Sequence, residues 1–133
     1  MGEGSQRAML ENLAAAVPEN IKVSLPGFYA DAKEMIWMFD CFVMPSRYEG
    51  YGLVFAEAMS TGVPSVVSPA DSLPELCRSY SNGMIVSFDD VKNAAETVAK
   101  AMLLPRSEPY LICSRKTMAE RYLEIYRNAK KDR

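Results

Sequence analysis

Histidine is absent from all 133 residues. Without an imidazole there is no Ser-His-Asp or Cys-His nucleophile pair, no HExxH motif and no histidine metal ligand. Acid–base chemistry is left to carboxylates, Lys, Tyr or the substrate itself. Asp-x-Asp is missing too. The one acidic doublet, Asp89-Asp90, stands directly before Val91-Lys92-Asn93-Ala94-Ala95 and reads as a helix N-cap rather than a cation ligand. The three cysteines, Cys41, Cys77 and Cys113, are an odd number without a CxxC pair. That argues against a disulfide framework or zinc site and leads us to expect a reducing cytoplasm. Apolar runs are only a few residues long, so no membrane span is expected, and no basic-then-apolar leader suggests a secretory signal. Lys+Arg 15 against Asp+Glu 17 is too balanced for a nucleic-acid module.

With 49% hydrophobic and 24% charged residues, the composition is that of one soluble domain able to bury a core. Gln6–Ala16 has apolar residues at helical spacing and is stopped by Pro18. Ile21-Lys22-Val23-Ser24-Leu25 alternates as a strand before Pro26-Gly27. Ala30 to Phe39 reads as a helix burying Met35, Ile36, Met38 and Phe39. Cys41-Phe42-Val43-Met44 reads as a strand buried on both faces. A helix over Leu53–Thr61 capped by Gly62, a strand over Pro64–Ser68, a short helix over Pro74–Arg78 and a strand at Met84-Ile85-Val86 follow. Helices over about 91–104 and 107–128 complete the chain. Short strands alternating with helices predict an α/β fold, a Rossmann-like parallel sheet flanked by helices. No internal repeat or long linker divides residues 1–133, which are expected to form a single domain.

Charge is uneven along the chain. Arg115 to Arg133 holds seven basic and three acidic residues, a net of +4, which leaves −6 for the first 114. Such a terminal helix either touches anionic lipid or a partner, or simply shows a solvated face.

The informative stretch runs from Met44 to Gly62. A strand enters a loop with Gly50 and Gly52, which opens the apolar helix Leu53-Val54-Phe55-Ala56-Glu57-Ala58-Met59. Glycines let the backbone approach a ligand, and amides at a helix N-terminus favour a phosphate. Open parallel sheets also bind ligands at the carboxyl ends of their strands. Glu57 is a carboxylate inside an apolar helix, costly to bury without partners. It suits two adjacent sugar hydroxyls, or else it points to solvent. Glu49, before the glycines, either meets the reacting group of a ligand or is a surface residue.

Pro45-Ser46-Arg47-Tyr48-Glu49-Gly50-Tyr51-Gly52-Leu53 with Glu57-Ala58-Met59-Ser60-Thr61-Gly62-Val63-Pro64 resembles the Glu-x7-Glu region of family 4 glycosyltransferases, retaining enzymes of GT-B fold. Gly2-Glu3-Gly4, Leu25-Pro26-Gly27-Phe28, Phe39-Asp40-Cys41-Phe42-Val43, Leu73-Pro74-Glu75 and Asn82-Gly83-Met84-Ile85-Val86 fall in the family's order and spacing, so the likeness reaches to about Leu104. The resemblance implies that Glu49 contacts the donor sugar near its anomeric carbon. It implies that the amides of Gly50, Tyr51, Gly52 and Leu53 hold sugar and diphosphate, that Glu57 binds the ribose hydroxyls, and that Gly27, Phe28 and Tyr29 lie against the base. No metal or other cofactor is expected; the nucleotide-diphosphate sugar is a substrate.

The chain departs from the family pattern in three ways. The N-terminal, acceptor-binding domain is not represented. The opening strands of the donor domain, which carry the Arg and Lys that clamp the diphosphate, are missing, with Arg47 as a substitute. Pro69-Ala70-Asp71-Ser72-Leu73 stands where Gly-Gly often precedes Pro-Glu. The chain is therefore expected to be an N-terminally incomplete donor domain of a cytoplasmic glycosyltransferase, with a glycan or lipid-linked acceptor and peripheral contact with the membrane. Alone, it is expected to be weak or inactive. The alternatives are a non-catalytic nucleotide-sugar-binding module, a subunit completed by a separate acceptor-binding chain, or a related GT-B activity such as a sugar epimerase.

Overall fold

The architecture follows from three short apolar segments that pair side by side. In a computed structural model, which describes residues 4–110 and 113–131, the chain forms two compact units, Met1–Met38 and Phe39–Arg133.

The second unit holds the sheet. Strands β1 (Phe42–Met44), β2 (Ser65–Val67) and β3 (Gly83–Ile85) are parallel in the order β1-β2-β3. Val66 is the centre of the register, opposite Val43 on one side and Met84 on the other. Parallel pairing requires crossovers, supplied here by α3 (Leu53–Met59) and α4 (Leu73–Arg78), while α5 (Val91–Met102) follows β3. Val66 packs with Val86 and with Ala94 and Ala101 of α5. On α3, Phe55, Ala56, Ala58 and Met59 are buried, and the Phe55 ring meets Tyr80 edge-on with centroids 6.2 Å apart. The predicted parallel α/β arrangement is therefore the observed one.

Covering is uneven across the sheet. All of β2 is buried, but Val43 is 39% exposed and Ile85 42%. The expectation that Cys41–Met44 is buried on both faces fails because β1 is an edge strand, and only the central strand is enclosed.

The α5 N-cap is as predicted, with Asp90 Oδ1 accepting from the Asn93 N–H at 3.1 Å. Gly62, at φ 72°, ends the α3 turn, and its carbonyl accepts from the Ser107 N–H at 3.0 Å. The Tyr110 N–H reaches the Met59 carbonyl at 3.0 Å, and Asn82 Nδ2 donates to Pro105 O at 2.7 Å. These bonds hold 105–110 as an irregular strap across the end of α3. The helix expected over 107–128 accordingly begins later, as α6 (Arg115–Lys131). Pro109 disfavours helical geometry at Glu108, and the strap's amides are already used. Residues 111–112 of that expected helix lie outside the described residues.

In the first unit, α1 (Arg7–Ala15) forms as predicted, with Arg7 bonded to Glu11 at 2.8 Å and to Leu25 O at 3.0 Å. The strand predicted over Ile21–Leu25 does not form: among the described residues this unit contains no strand. Alternation offers a buried face, but a strand also needs a partner for its backbone groups. The helix predicted over Ala30–Phe39 is cut to α2 (Ala32–Met35) and a 3₁₀ turn over Ile36–Met38. Burial sustains most helices, and here it is confined to Ile36, with Met38 exposed.

Candidate functional site

The carboxyl ends of all three strands open onto one cleft of about 440 Å³. Pro45, Ser46 and Arg47 follow β1, Ser68, Pro69 and Ala70 follow β2, and Ser87, Phe88 and Asp89 line the third side. This is where an open parallel sheet presents a ligand to its loops. The Ser68 hydroxyl donates to the Ser46 carbonyl, tying the first two loops together. Arg47 is exposed and makes no hydrogen bond or ion pair among the described residues.

Beyond Arg47 the loop turns into α3. The Glu49 carboxylate accepts from the Gly52 N–H at 3.0 Å, and the Glu49 N–H donates to Asp71 Oδ2 at 2.7 Å. Gly52 sits at φ 85°, and a Cβ there would lie 2.9 Å from Leu73 Cδ2. Glycine is therefore favoured by the left-handed conformation, and a side chain there would also have to displace the Leu73 methyl of α4. At Gly50 a Cβ would meet nothing within 4 Å, so the fold leaves open space beside that peptide. Among the described residues, the N–H groups of Gly50, Tyr51 and Leu53 meet no backbone acceptor. The Gly52 amide differs, being occupied by Glu49.

On α3, Leu53 (69% exposed), Val54 (50%) and Glu57 share the face opposite the buried one. Glu57 is half-buried, and its carboxylate has no partner among the described residues. Its side chain is thus available to a ligand without first breaking a bond. Glu49, Gly50, Tyr51, Gly52, Leu53 and Glu57 come together as one loop-and-helix corner. Gly27, Phe28 and Tyr29 belong to the first unit, where Gly27 is buried at φ 74° and Phe28 and Tyr29 are exposed. Gly2 and Glu3 lie outside the described residues.

Asp71 was not singled out by spacing, although it fixes the Glu49 loop from 22 positions away. It is the one non-glycine with positive φ, at 42°, among the described residues. Asp tolerates that region better than most residues, and an Asp after Pro-Ala is the only trace of the turn in the sequence. Ser68, Ser87 and Phe88 were likewise invisible, because only the sheet brings their loops together. Asp89, read with Asp90 as a cap, instead lines the cleft.

Burial raises the Cys41 and Cys77 thiols above their ordinary value. It also raises the Tyr80 phenol, partly offset by a hydrogen bond with Ser107 and the nearby Arg106 charge. None of these groups lines the cleft. Among the described residues no group of three or more His, Cys, Asp or Glu gathers as a cation site, and no helix is long and apolar enough to cross a membrane.

A family model described as "Glycosyl transferases group 1" matches residues 1–124. The chain is 34% identical over 83 residues to a lipopolysaccharide core biosynthesis mannosyltransferase, LpsB, of Rhizobium meliloti, covering 61% of this chain and 24% of that protein. It is 30% identical over 137 residues to the O-antigen biosynthesis glycosyltransferase WclY of Escherichia coli, covering 96% and 37% respectively. Over 67 residues it is 52% identical to an O-antigen chain mannosyltransferase B of Escherichia coli, covering 50% of this chain and 15% of that protein. The chain spans well under half the length of each of these relatives.

Proposed function

Because the chain belongs to the glycosyl transferases group 1 family, we propose that it is the donor-binding part of a retaining, family 4 glycosyltransferase of GT-B fold, completed by an acceptor-binding domain in cis or in trans. The observation that carries this reading is the pair Glu49 and Glu57. One carboxylate is built into the loop that opens α3, and the other, on the helix face beyond it, has no partner among the described residues.

In this reading the nucleotide sugar lies along the loop. The free amides of Gly50, Tyr51 and Leu53 hold its phosphates, Glu57 accepts from the ribose hydroxyls, and Glu49 positions the sugar near the anomeric carbon. Arg47, without an ion pair among the described residues, supplies positive charge to the diphosphate. No metal takes part. The protein orients the donor and stabilises charge as it shifts to the leaving phosphate. The names of the relatives above point to a polysaccharide or lipid-linked acceptor, and so to transfer in the cytoplasm with peripheral contact at the membrane. Because this chain spans so little of those proteins, we expect the isolated chain to bind donor and to transfer weakly or not at all.

Ligand-observed NMR with UDP, GDP and ADP tests the reading directly. One nucleotide should bind, and Glu57→Ala should weaken that binding tenfold or more, about 1.4 kcal/mol or more, the loss expected when a charged acceptor leaves two hydroxyls. Silence from all three nucleotides in a folded sample would sink donor binding by this chain alone. Equal binding by wild type and Glu57→Ala would remove Glu57 from the site.

A further inference from the structure

Three helices of the second unit meet without closing on one another. Ala56 and Met59 of α3 and Leu76 of α4 form the floor of a cavity of about 310 Å³. Ala56 and Met59 are buried, and Leu76 is half-buried. The rim is polar and exposed, with Glu75 and Ser79 on α4 and its C-terminal cap and Arg121 on α6. The gap has a local cause. Ala56 and Ser79 are short side chains at the place where the helices converge, so neither fills the space that α6 leaves. The strap sets a further wall, with the Tyr110 N–H bonded to the Met59 carbonyl at 3.0 Å. The start of α6 is fixed by its cap, where Ser114 Oγ accepts from the Thr117 N–H at 3.1 Å. Arg121 lies one turn beyond the half-buried Thr117, on the same side of the helix.

Glu75 and Arg121 carry opposite charges on this one cavity, yet among the described residues neither makes an ion pair or hydrogen bond. The two charges cancel, so a ligand of single sign gains at one side of the rim what it loses at the other. A carboxylate only accepts hydrogen bonds and a guanidinium only donates them. Sugar hydroxyls do both. Hydroxyls on one ring can therefore donate to Glu75 and accept from Arg121, with the Ser79 hydroxyl taking either role. Tyr51 and Tyr110 add aromatic rings at the wall, flat apolar surfaces that suit the C–H face of a pyranose. At about 310 Å³ the cavity lies at the small end of the ~300–1,000 Å³ usual for ligand clefts. That is room for a short sugar segment rather than a whole nucleotide sugar.

We propose that this cavity is a second carbohydrate site, which holds a neutral oligosaccharide segment between Glu75, Ser79 and Arg121 at the rim and Tyr51 and Tyr110 at the wall. It goes beyond the donor reading and does not depend on it. Ala56 and Met59 belong to the buried side of α3, whereas Glu57 stands on the opposite face. Only Tyr51 is common to both sites, through its amide in one and its side chain in the other.

Cys113 provides the readout, because it also lines the cavity and is the exposed cysteine, while Cys41 and Cys77 are shielded by burial. The test is iodoacetamide alkylation of the full chain, followed by mass spectrometry, with mannotriose, maltotriose or triacetylchitotriose at millimolar concentration. At least one trisaccharide should slow Cys113 alkylation roughly threefold or more, and UDP, GDP and ADP should not. Glu75→Gln and Arg121→Gln should each weaken the sugar's affinity about tenfold. Ser79→Tyr fills the cavity and should abolish the sugar signal in saturation-transfer NMR. All three variants should keep the wild-type melting transition, which shows that they are folded. Equal alkylation with and without every sugar would overturn the site. Sugar binding that survives all three substitutions would place the sugar elsewhere and overturn it as well. Stronger protection by free arginine or glutamate than by any trisaccharide would overturn the ligand class. Sugar protection in a chain that binds no nucleotide would count against the donor reading alone.

Discussion

Asp71 accepts the backbone N–H of Glu49 at 2.7 Å while itself held at φ 42°. A residue in a strained conformation, in the β2–α4 loop, thereby sets the main chain of the β1–α3 loop. The Glu49 carboxylate then turns back to the Gly52 N–H at 3.0 Å. The two loops are one mechanical unit, and the positions of Gly50 and Tyr51 follow from it.

Substitutions at Asp71 separate its two roles. Asp71→Asn keeps an acceptor and tolerates positive φ, and should be close to neutral. Asp71→Gly loses the acceptor but relaxes the backbone. Asp71→Ala loses both advantages and should cost the most, about 1–2 kcal/mol. Chemical denaturation of the three variants checks the order, and nucleotide affinity should fall in the same order.

Glu49 has a structural duty as well as the proposed one. Glu49→Gln retains an oxygen for the Gly52 N–H and should leave stability nearly unchanged, whereas Glu49→Ala removes a helix-start acceptor and should cost about 0.5–1 kcal/mol. Sugar transfer in the completed enzyme should fall sharply for both. Loss of transfer in Glu49→Ala alone would assign the residue to loop structure.

Gly62 admits no side chain. It lies at φ 72°, and a Cβ would fall 2.1 Å from the Ser107 carbonyl oxygen, a backbone atom of the strap. Gly62→Ala should destabilise the chain by at least about 2 kcal/mol and increase amide exchange at Ser107 and Tyr110, whose N–H groups hold the strap. Unchanged exchange at those two amides would show that the strap is held elsewhere.

Alkaline pH should loosen the second unit. Burial raises the Cys77 and Tyr80 groups above their ordinary values of 9.0 and 10.0, so the folded chain keeps protons that the unfolded chain releases. The unfolded state then binds fewer protons, and stability falls as pH rises. The contribution is intact below about pH 9 and is lost progressively above it. Denaturation midpoints from neutral to alkaline pH check this, and Cys77→Ala should flatten the part of the decline nearest 9.0. Tyr80→Phe should cost about 0.5–1.5 kcal/mol at neutral pH by removing the 2.7 Å hydrogen bond from its phenol to the Val63 carbonyl, which keeps the Ser65 hydroxyl as a donor at 2.9 Å.

Much of the second unit was legible in residue order. Short apolar runs bounded by Gly and Pro marked β1, β2 and β3, and α5 was marked by its Asp90 cap. The Glu49–Gly50–Tyr51–Gly52 corner was legible because the same few residues must both turn the chain and start a helix. Ile21–Leu25 and Ala30–Phe39 misled for a common reason. Periodicity records which side of an element is apolar, but an element persists only where partners cover that side or complete its backbone bonds.

By itself the sequence determined the alternation of strands and helices, the glycine turn into α3 and the placement of two carboxylates around it, because these depend on local conformation and spacing. Tertiary structure alone decided that β1 is an edge and β2 the centre, and that Asp71 and Glu49 meet. It alone decided that 105–110 is a strap and that Glu57 is half-buried on the face of α3 opposite the core. Those outcomes depend on which backbone groups and which apolar surfaces find partners far along the chain, and spacing carries no record of that.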